Sequence, residues 1–176
     1  MNHDAYNDDY VADILRGART VAMIGASANT SRPSYFAMKY LIGKGYRVVP
    51  VNPGLAGQQI LGQPVVATLA EAAGPVEIVD IFRNSEAALE VTREAIRLKD
   101  QLGIKVIWMQ LGVRNDAAAV EAEAAGLKVV MNRCPKIEYS RLSGEISWAG
   151  VNSGMISSVR PKLSPSGVQD HRLPDK

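Results

Sequence analysis

The chain has 176 residues, 47% of them hydrophobic and 22% charged, which is the makeup of an ordinary globular protein with one domain and one sizeable core. A net charge of +2 is too small to argue for a nucleic-acid or membrane partner, so ligand chemistry must be read from where individual Arg and Lys residues stand. With Cys134 as the single cysteine, and with His3 and His171 near opposite termini, an intramolecular disulfide is excluded and a metal site is not expected.

In chain order, DDYVADILR (residues 8–16) sets Tyr10, Val11, Ile14 and Leu15 on one helical face, with Asp at its start and Gly17 behind it. TVAMIG (20–25) is a continuous apolar run stopped by glycine, which predicts a strand buried on both faces of a parallel sheet. From Pro33 to Gly43 the apolar residues Tyr35, Met38, Leu41 and Ile42 recur at helical spacing, and YRVVPVN then predicts a second strand. The Gly and Pro content of PGLAGQQILGQPV rules out a long regular element there. A short helix at TLAEAA and a third strand at VEIVDIF follow. Residues 85–102 form the clearest helix, with Ala88, Val91, Ala95, Leu98 and Leu102 in one stripe and Glu86, Glu90, Arg93, Glu94, Arg97 and Asp100 outside it. IKVIWMQ predicts the fourth strand, DAAAVEAEAAG a helix and LKVVMN the fifth strand, while Glu138 and Arg141 in KIEYSRL read as a helical surface pair.

This alternation predicts an α/β fold: a single doubly wound, Rossmann-like parallel sheet of about five strands flanked by helices, with strand order near 3-2-1-4-5. The domain is expected over residues 1–160. The remainder, 161–176, lies in the proline-rich RPKLSPSGVQDHRLPDK and is expected to be a flexible tail or to pack on a partner. No apolar run approaches the ~20 residues that span a bilayer. The acidic, polar start MNHDAYNDDY is unlike a secretory signal, so a cytoplasmic protein is expected.

In such sheets a ligand lies outside the carboxyl ends of the strands where their order reverses, which points to the loop after Ile24. A helix N-terminus there attracts phosphate through its free amides and its dipole. Yet Gly25-Ala26-Ser27-Ala28-Asn29-Thr30 keeps only the first glycine of the dinucleotide fingerprint G-x-G-x-x-G, and Ser27 stands where bare backbone would approach a pyrophosphate. The second strand ends Pro50-Val51-Asn52-Pro53, without the carboxylate that an NAD site turns toward the adenosine ribose. A Walker loop is absent as well. What the loop does offer is Arg32, one residue before Pro33, with Lys39 further along the helix; arginine forks match phosphate oxygens. Taken alone, each of these cations is more often a solvated surface charge than a ligand contact.

The run IGAS followed by RPSYFAMKYLIGKGYRVVPVNP, with VDIFR, WMQLGV and VVMNRC, resembles the CoA-binding domain family, small proteins akin to the nucleotide-binding domain of the succinyl-CoA synthetase alpha subunit. The resemblance runs from about residue 8 to residue 160 and implies coenzyme A lying across the carboxyl edge of the sheet. By the family pattern, Gly25, Ala26 and Ser27 face the phosphates, Val51, Asn52 and Pro53 flank the adenosine, and Ile81, Phe82 and Arg83 line the nucleotide crevice. CoA carries a 3′-phosphate on its ribose, which a carboxylate at position 52 would repel and which Arg32 or Arg83 neutralises. The synthetase's phosphorylated histidine and its nucleoside-triphosphate site belong to parts that this chain lacks, so ligase activity is not implied. The family commonly has Asp where this chain has Asn132.

Cys134 follows the fifth strand beside Arg133 and near Lys136; neighbouring positive charge favours a thiolate, but with no histidine close in sequence to serve as base the expected role is a small residue at a strand end. Gln110 is placed to orient an amide of the pantetheine arm or to tie its loop, Trp108 reads as core, and Asp80 within the third strand needs a partner. No catalytic residue is assigned. The leading expectation is a module that binds CoA or an acyl-CoA. The alternative is an NADP-dependent oxidoreductase with a non-standard phosphate loop, and the third is a scaffold with a vestigial crevice. Folds of this size commonly form homodimers, although no helical face is apolar enough to demand one.

Overall fold

The computed structural model describes residues 1–145, Pro165 and 167–174. Among these residues seven strands and five α-helices follow the order α1 (Asp8–Gly17), β1 (Thr20–Ile24), α2 (Pro33–Gly43), β2 (Arg47–Val51), β3 (Gln59–Ile60), β4 (Gln63–Pro64), β5 (Ile78–Ile81), α3 (Ser85–Leu102), β6 (Val106–Met109), α4 (Asp116–Ala124), β7 (Lys128–Val130) and α5 (Pro135–Leu142). The main sheet is parallel and five-stranded, in the order β2-β1-β5-β6-β7. Counted over these five alone the order is 2-1-3-4-5, which corrects the expected 3-2-1-4-5. Pro50 supplies the reason. It has no N–H to give to a ladder, so its strand is tolerated at an edge and not between two neighbours. The chain leaving β2 therefore crosses β1 and adds β5 on the far side.

The helices divide between the two faces. Val21, Met23, Val48, Ile78 and Trp108 point into one core with α1, α2 and α5; Ala22, Ile24, Val49, Val79 and Ile107 point into the other with α3 and α4. Every residue of β1, β5 and β6 is buried, as period-two alternation requires when both faces are covered. Trp108 is fully buried and its Nε1 donates to the Arg133 carbonyl at 2.8 Å, so it is a core residue with a polar tie. The Glu138–Arg141 pair forms at 2.9 Å, and Arg141 also reaches Asp8 at 2.6 Å, joining α5 to α1.

The free edge of β7 is covered from the N-terminus. Tyr10 Oη donates to the Val129 carbonyl at 3.1 Å and accepts from the Val129 N–H at 3.2 Å, while Tyr6 Oη accepts from the Met131 N–H at 2.7 Å. Two tyrosines stacked with ring centroids 6.0 Å apart thus occupy backbone groups that would otherwise invite another strand. Where a loop was expected after β2, residues 59–64 form a small hairpin with Leu61 and Gly62 both at positive φ, 50° and 77°, the geometry of a two-residue primed turn. Gly167–Pro174 lie against the first core: Val168 and Leu173 are buried, the Arg172 guanidinium donates to the Lys44 carbonyl at 2.7 Å, and Lys44 forms a buried ion pair with Glu145. Among the described residues no helix is long and apolar enough to cross a membrane, and no group of three His, Cys, Asp or Glu is placed to hold a metal ion.

Candidate functional site

The strand order reverses at β1, between β2 and β5, and the loops after these three strands meet there. Gly25 makes the junction. Its φ is +85°, its N–H donates to the Val51 carbonyl at 2.9 Å, and a Cβ at this position would lie 2.8 Å from the Phe82 carbonyl oxygen and 3.1 Å from Cδ of Arg83. Only glycine accepts both the left-handed backbone and that approach. Val51, Ala26 and Ile81 are buried beneath the junction, and Ser27, with its hydroxyl accepting from the Asn29 N–H at 3.2 Å, lies in the turn that leads to α2.

Asn52 has a role that the sequence does not reveal. Its amide nitrogen donates to the Ala26 carbonyl at 2.8 Å, and its oxygen accepts from the Gly54 N–H at 2.9 Å. A carboxylate could accept the second bond but not give the first, and would leave the Ala26 carbonyl facing another acceptor. The neutral residue at the end of β2 is therefore required by the loop itself, and as a consequence the adjoining crevice carries no negative charge there. Pro53 is exposed beside it.

α2 begins at Pro33 with Arg32 in the cap position, no side chain capping the first turn and no acidic residue in it. Arg32 and Arg83 are exposed and take part in no ion pair among the described residues. Ser31 and Pro33, which bracket Arg32, line one cavity of about 510 Å³ together with Phe82, Arg83 and Gln110. The cavity draws on the loop into α2 and on the ends of β5 and β6; of the residues selected from the sequence, Pro33, Phe82, Arg83 and Gln110 line it, whereas Gly25, Ala26, Ser27, Arg32, Val51, Asn52, Pro53 and Ile81 do not. Phe36, Leu111 and Ile137 also line or border this cavity; the sequence reading did not select them, because exposure of an apolar side chain is invisible in helical spacing alone.

Behind the cavity Gln110 is buried, and its Nε2 donates to both oxygens of Asp80 at 3.1 and 3.2 Å. Asp80 is fully enclosed, and burial pushes its carboxyl up to about 8, with the Gln110 hydrogen bond opposing the rise. The amide nitrogen of Gln110 is thus the partner that a buried carboxylate requires. Cys134 holds the cap position of α5. Burial pushes its thiol up from its ordinary value, in keeping with the small strand-end residue expected and against the thiolate that neighbouring cations would favour. Arg133 turns instead to Glu138 at 3.6 Å and to the ring of Tyr6. Asn132 sits at φ 53°, and its Oδ1 accepts from the Gly112 N–H at 2.8 Å, tying together the loops after β6 and β7. Neither histidine lines the cavity: His3 meets Tyr6 at 2.9 Å, and His171 meets the Ser143 carbonyl at 3.1 Å.

A second cavity, about 450 Å³, opens at the amino ends of β1 and β2 and is lined by Arg16, Arg19, Lys44 and Arg172 among others. Its cations are engaged: Arg16 with Asp13 at 3.0 Å, Lys44 with Glu145, Arg172 with Asp170 at 3.4 Å, and Arg19 with the Arg16 carbonyl at 3.0 Å. Sheets of this kind present ligands at the opposite edge, so the cavity at the carboxyl edge is the candidate site.

Comparison with known proteins gives a consistent picture. The uncharacterized protein YneT of Bacillus subtilis is 31% identical over 130 residues, covering 74% of this chain and 92% of YneT. A hypothetical protein from Pyrococcus horikoshii is 33% identical with a TM-score of 0.73, over 81% of this chain and 96% of that one. A Thermus thermophilus structure is 34% identical with a TM-score of 0.69, over 76% and 96%. Residues 19–140, from the start of β1 into α5 and so including every element that lines the site, match the CoA binding domain, and the chain belongs to that family.

Proposed function

We propose that this protein binds coenzyme A or an acyl-CoA at the switch between β1 and β5, as a binding module with no catalytic constellation of its own. Family membership supports a CoA-related role, and the observation that carries the finer reading is the charge at the mouth of the site. Arg32 and Arg83 are exposed without an ion-pair partner among the described residues, while the end of β2 offers the neutral Asn52, its amide fixed by Ala26 and Gly54. An adenosine bearing a ribose phosphate suits that arrangement: two cations to receive it and no carboxylate to repel it. In this reading Gly25, Ala26 and Ser27 and the first turn of α2 take the phosphate chain, Val51, Asn52 and Pro53 flank the adenosine, and Ile81, Phe82 and Arg83 form the wall of the crevice. A carboxamide such as Gln110 offers Cys134 no base, and burial raises the thiol above its ordinary value, both of which support a module without a nucleophile of its own.

The test is calorimetric titration of ligand-stripped protein with CoA, dephospho-CoA, NAD and NADP. CoA is expected to bind, and loss of the 3′-phosphate to weaken binding about tenfold or more, the worth of one charge-assisted contact. Binding of NADP in the absence of CoA affinity would overturn the reading and favour an NADP-dependent oxidoreductase, for which Asn52 is equally tolerant of a 2′-phosphate.

A further inference from the structure

The cavity at the carboxyl edge adjoins the proposed nucleotide crevice at Pro33, Phe82 and Arg83, and its far part has a different chemistry. Pro33, Phe82 and Arg83 belong to both parts; beyond them the walls are Phe36 and Ala37 of α2, Leu111 and Val113 after β6, and Ile137 of α5. Phe36, Leu111 and Ile137 are 50%, 56% and 43% exposed. The described residues contain five large exposed hydrophobic side chains, and three of them, from three separate elements, meet on this one concavity. Scattered apolar exposure needs no explanation, but convergence on a cavity marks a surface that something covers. The cavity's volume of about 510 Å³ lies within the range of small-molecule sites. Its charged groups, Arg83 and Lys136, are both cations, and Lys136 lies with its ammonium 5.9 Å from the centre of the Phe36 ring, so its charge faces an aromatic surface. Gln110 also lines the cavity, with its Nε2 donating to Asp80.

We infer that this far part is a pocket for the acyl group of a CoA thioester, and that it selects a straight or branched aliphatic acyl chain of medium length over a short one. The inference rests on the proposed CoA reading, because it is the shared residues Pro33, Phe82 and Arg83 that make the pocket continuous with the nucleotide crevice. An apolar chain entering between Phe36, Leu111 and Ile137 covers the exposed surfaces of all three. No step of bond making is involved; the pocket acts on affinity.

The experiment is titration with CoA, acetyl-, butyryl-, hexanoyl- and succinyl-CoA, on the wild-type chain and on Leu111→Ser and Ile137→Ser, whose surface positions make both variants foldable. Affinity is expected to rise about two- to fourfold per methylene up to hexanoyl, the upper value being that of a fully buried methylene and the lower that of a half-covered one. Between acetyl- and hexanoyl-CoA the gain is then at least about tenfold. In both variants the ratio of hexanoyl-CoA to CoA affinity should fall toward one. CoA binding with no dependence on chain length overturns the acyl pocket and leaves the nucleotide reading standing; a gain confined to succinyl-CoA overturns it too, since Lys136 and Arg83 would then be reading charge. A chain with no affinity for CoA in any form overturns both readings.

Discussion

Asp80 gives the sharpest test of the interior behind the site. It lies in the centre of the sheet, in register with Met23 on one side and Trp108 on the other, has no exposed surface, and has Gln110 as its hydrogen-bonding partner. Its folded-state pKa is raised from 3.8 to about 8, with burial the main cause. Between these limits the native chain holds a proton that the unfolded chain has released, so unfolding free energy falls as pH rises. The contribution is whole below about pH 4 and is lost as pH passes through about 8. The gap between 3.8 and about 8, at about 1.36 kcal/mol per unit, sets a ceiling near 6 kcal/mol, which relaxation and water entry around a buried charge reduce. Asp80→Asn keeps the shape and an acceptor for Gln110 while removing the titration. Urea denaturation of both proteins at pH 4.5, 6, 7.5 and 9 cancels the contribution of every other ionisable group in the difference. The variant is expected to gain on the wild type by several kcal/mol from pH 4.5 to 9. Parallel curves would refute the reasoning, for they would mean that Asp80 is already ionised at the lowest pH.

Three further outcomes follow from single contacts. Gly25→Ala places a methyl group 2.8 Å from the Phe82 carbonyl at φ +85°, and thermal or urea unfolding should show a loss of about 2 kcal/mol or more, with CoA affinity reduced as the loops after β1 and β5 separate. Tyr10→Phe strips the Val129 N–H of its partner and is expected to cost about 1–3 kcal/mol in urea and to increase association of the protein through the edge of β7, read by light scattering. Asn52→Asp removes the donor to the Ala26 carbonyl and sets a negative charge beside the proposed phosphate site. Stability should fall by about 1–3 kcal/mol and CoA affinity by about tenfold or more; unchanged CoA affinity in a folded variant would place the adenosine elsewhere.

The fold was legible wherever the local pattern and the tertiary environment agree. Helices at Pro33–Gly43 and Ser85–Leu102 were readable to their ends because proline opens the first and Gly103, at φ 74° in the C-cap, closes the second. Strand order was not, since periodicity tells which residues are buried but not which strand lies beside which; the one clue, Pro50 in β2, bears on edge position and not on burial. The hairpin at 59–64 escaped notice because Leu61 is an uncommon residue for positive φ. At the site, the missing glycines and the missing carboxylate were visible in the sequence. What those absences do mechanically, the Asn52 tie above all, depends on a contact between residues 26 apart that no local pattern encodes. The partner of Asp80 lies 30 residues away and was equally hidden, although the need for one was clear from a carboxylate in a buried strand.

The helix starts set apart the two helices that flank the cavity. α1, α3 and α4 open on Asn7, Asn84 and Asn115, each of which accepts a hydrogen bond from a first-turn amide, so these helices meet part of the demand of their free N–H groups internally. α2 and α5 open differently: Arg32 and Cys134 hold their cap positions, neither side chain caps, and proline follows. Proline at the first position removes one donor that would otherwise need an acceptor; in α2 the Tyr35 N–H then turns to the Arg32 carbonyl at 3.0 Å, and in α5 the Lys136 and Ile137 amides face the Cys134 thiol. These two helices pack on the same face of the sheet and flank the cavity, with Pro33 and Phe36 from one and Lys136 and Ile137 from the other. The two helices that open on proline therefore coincide with the apolar concavity and with the exposed arginines. Cations and apolar wall together agree with the ligand proposed above, anionic at one end and oily at the other.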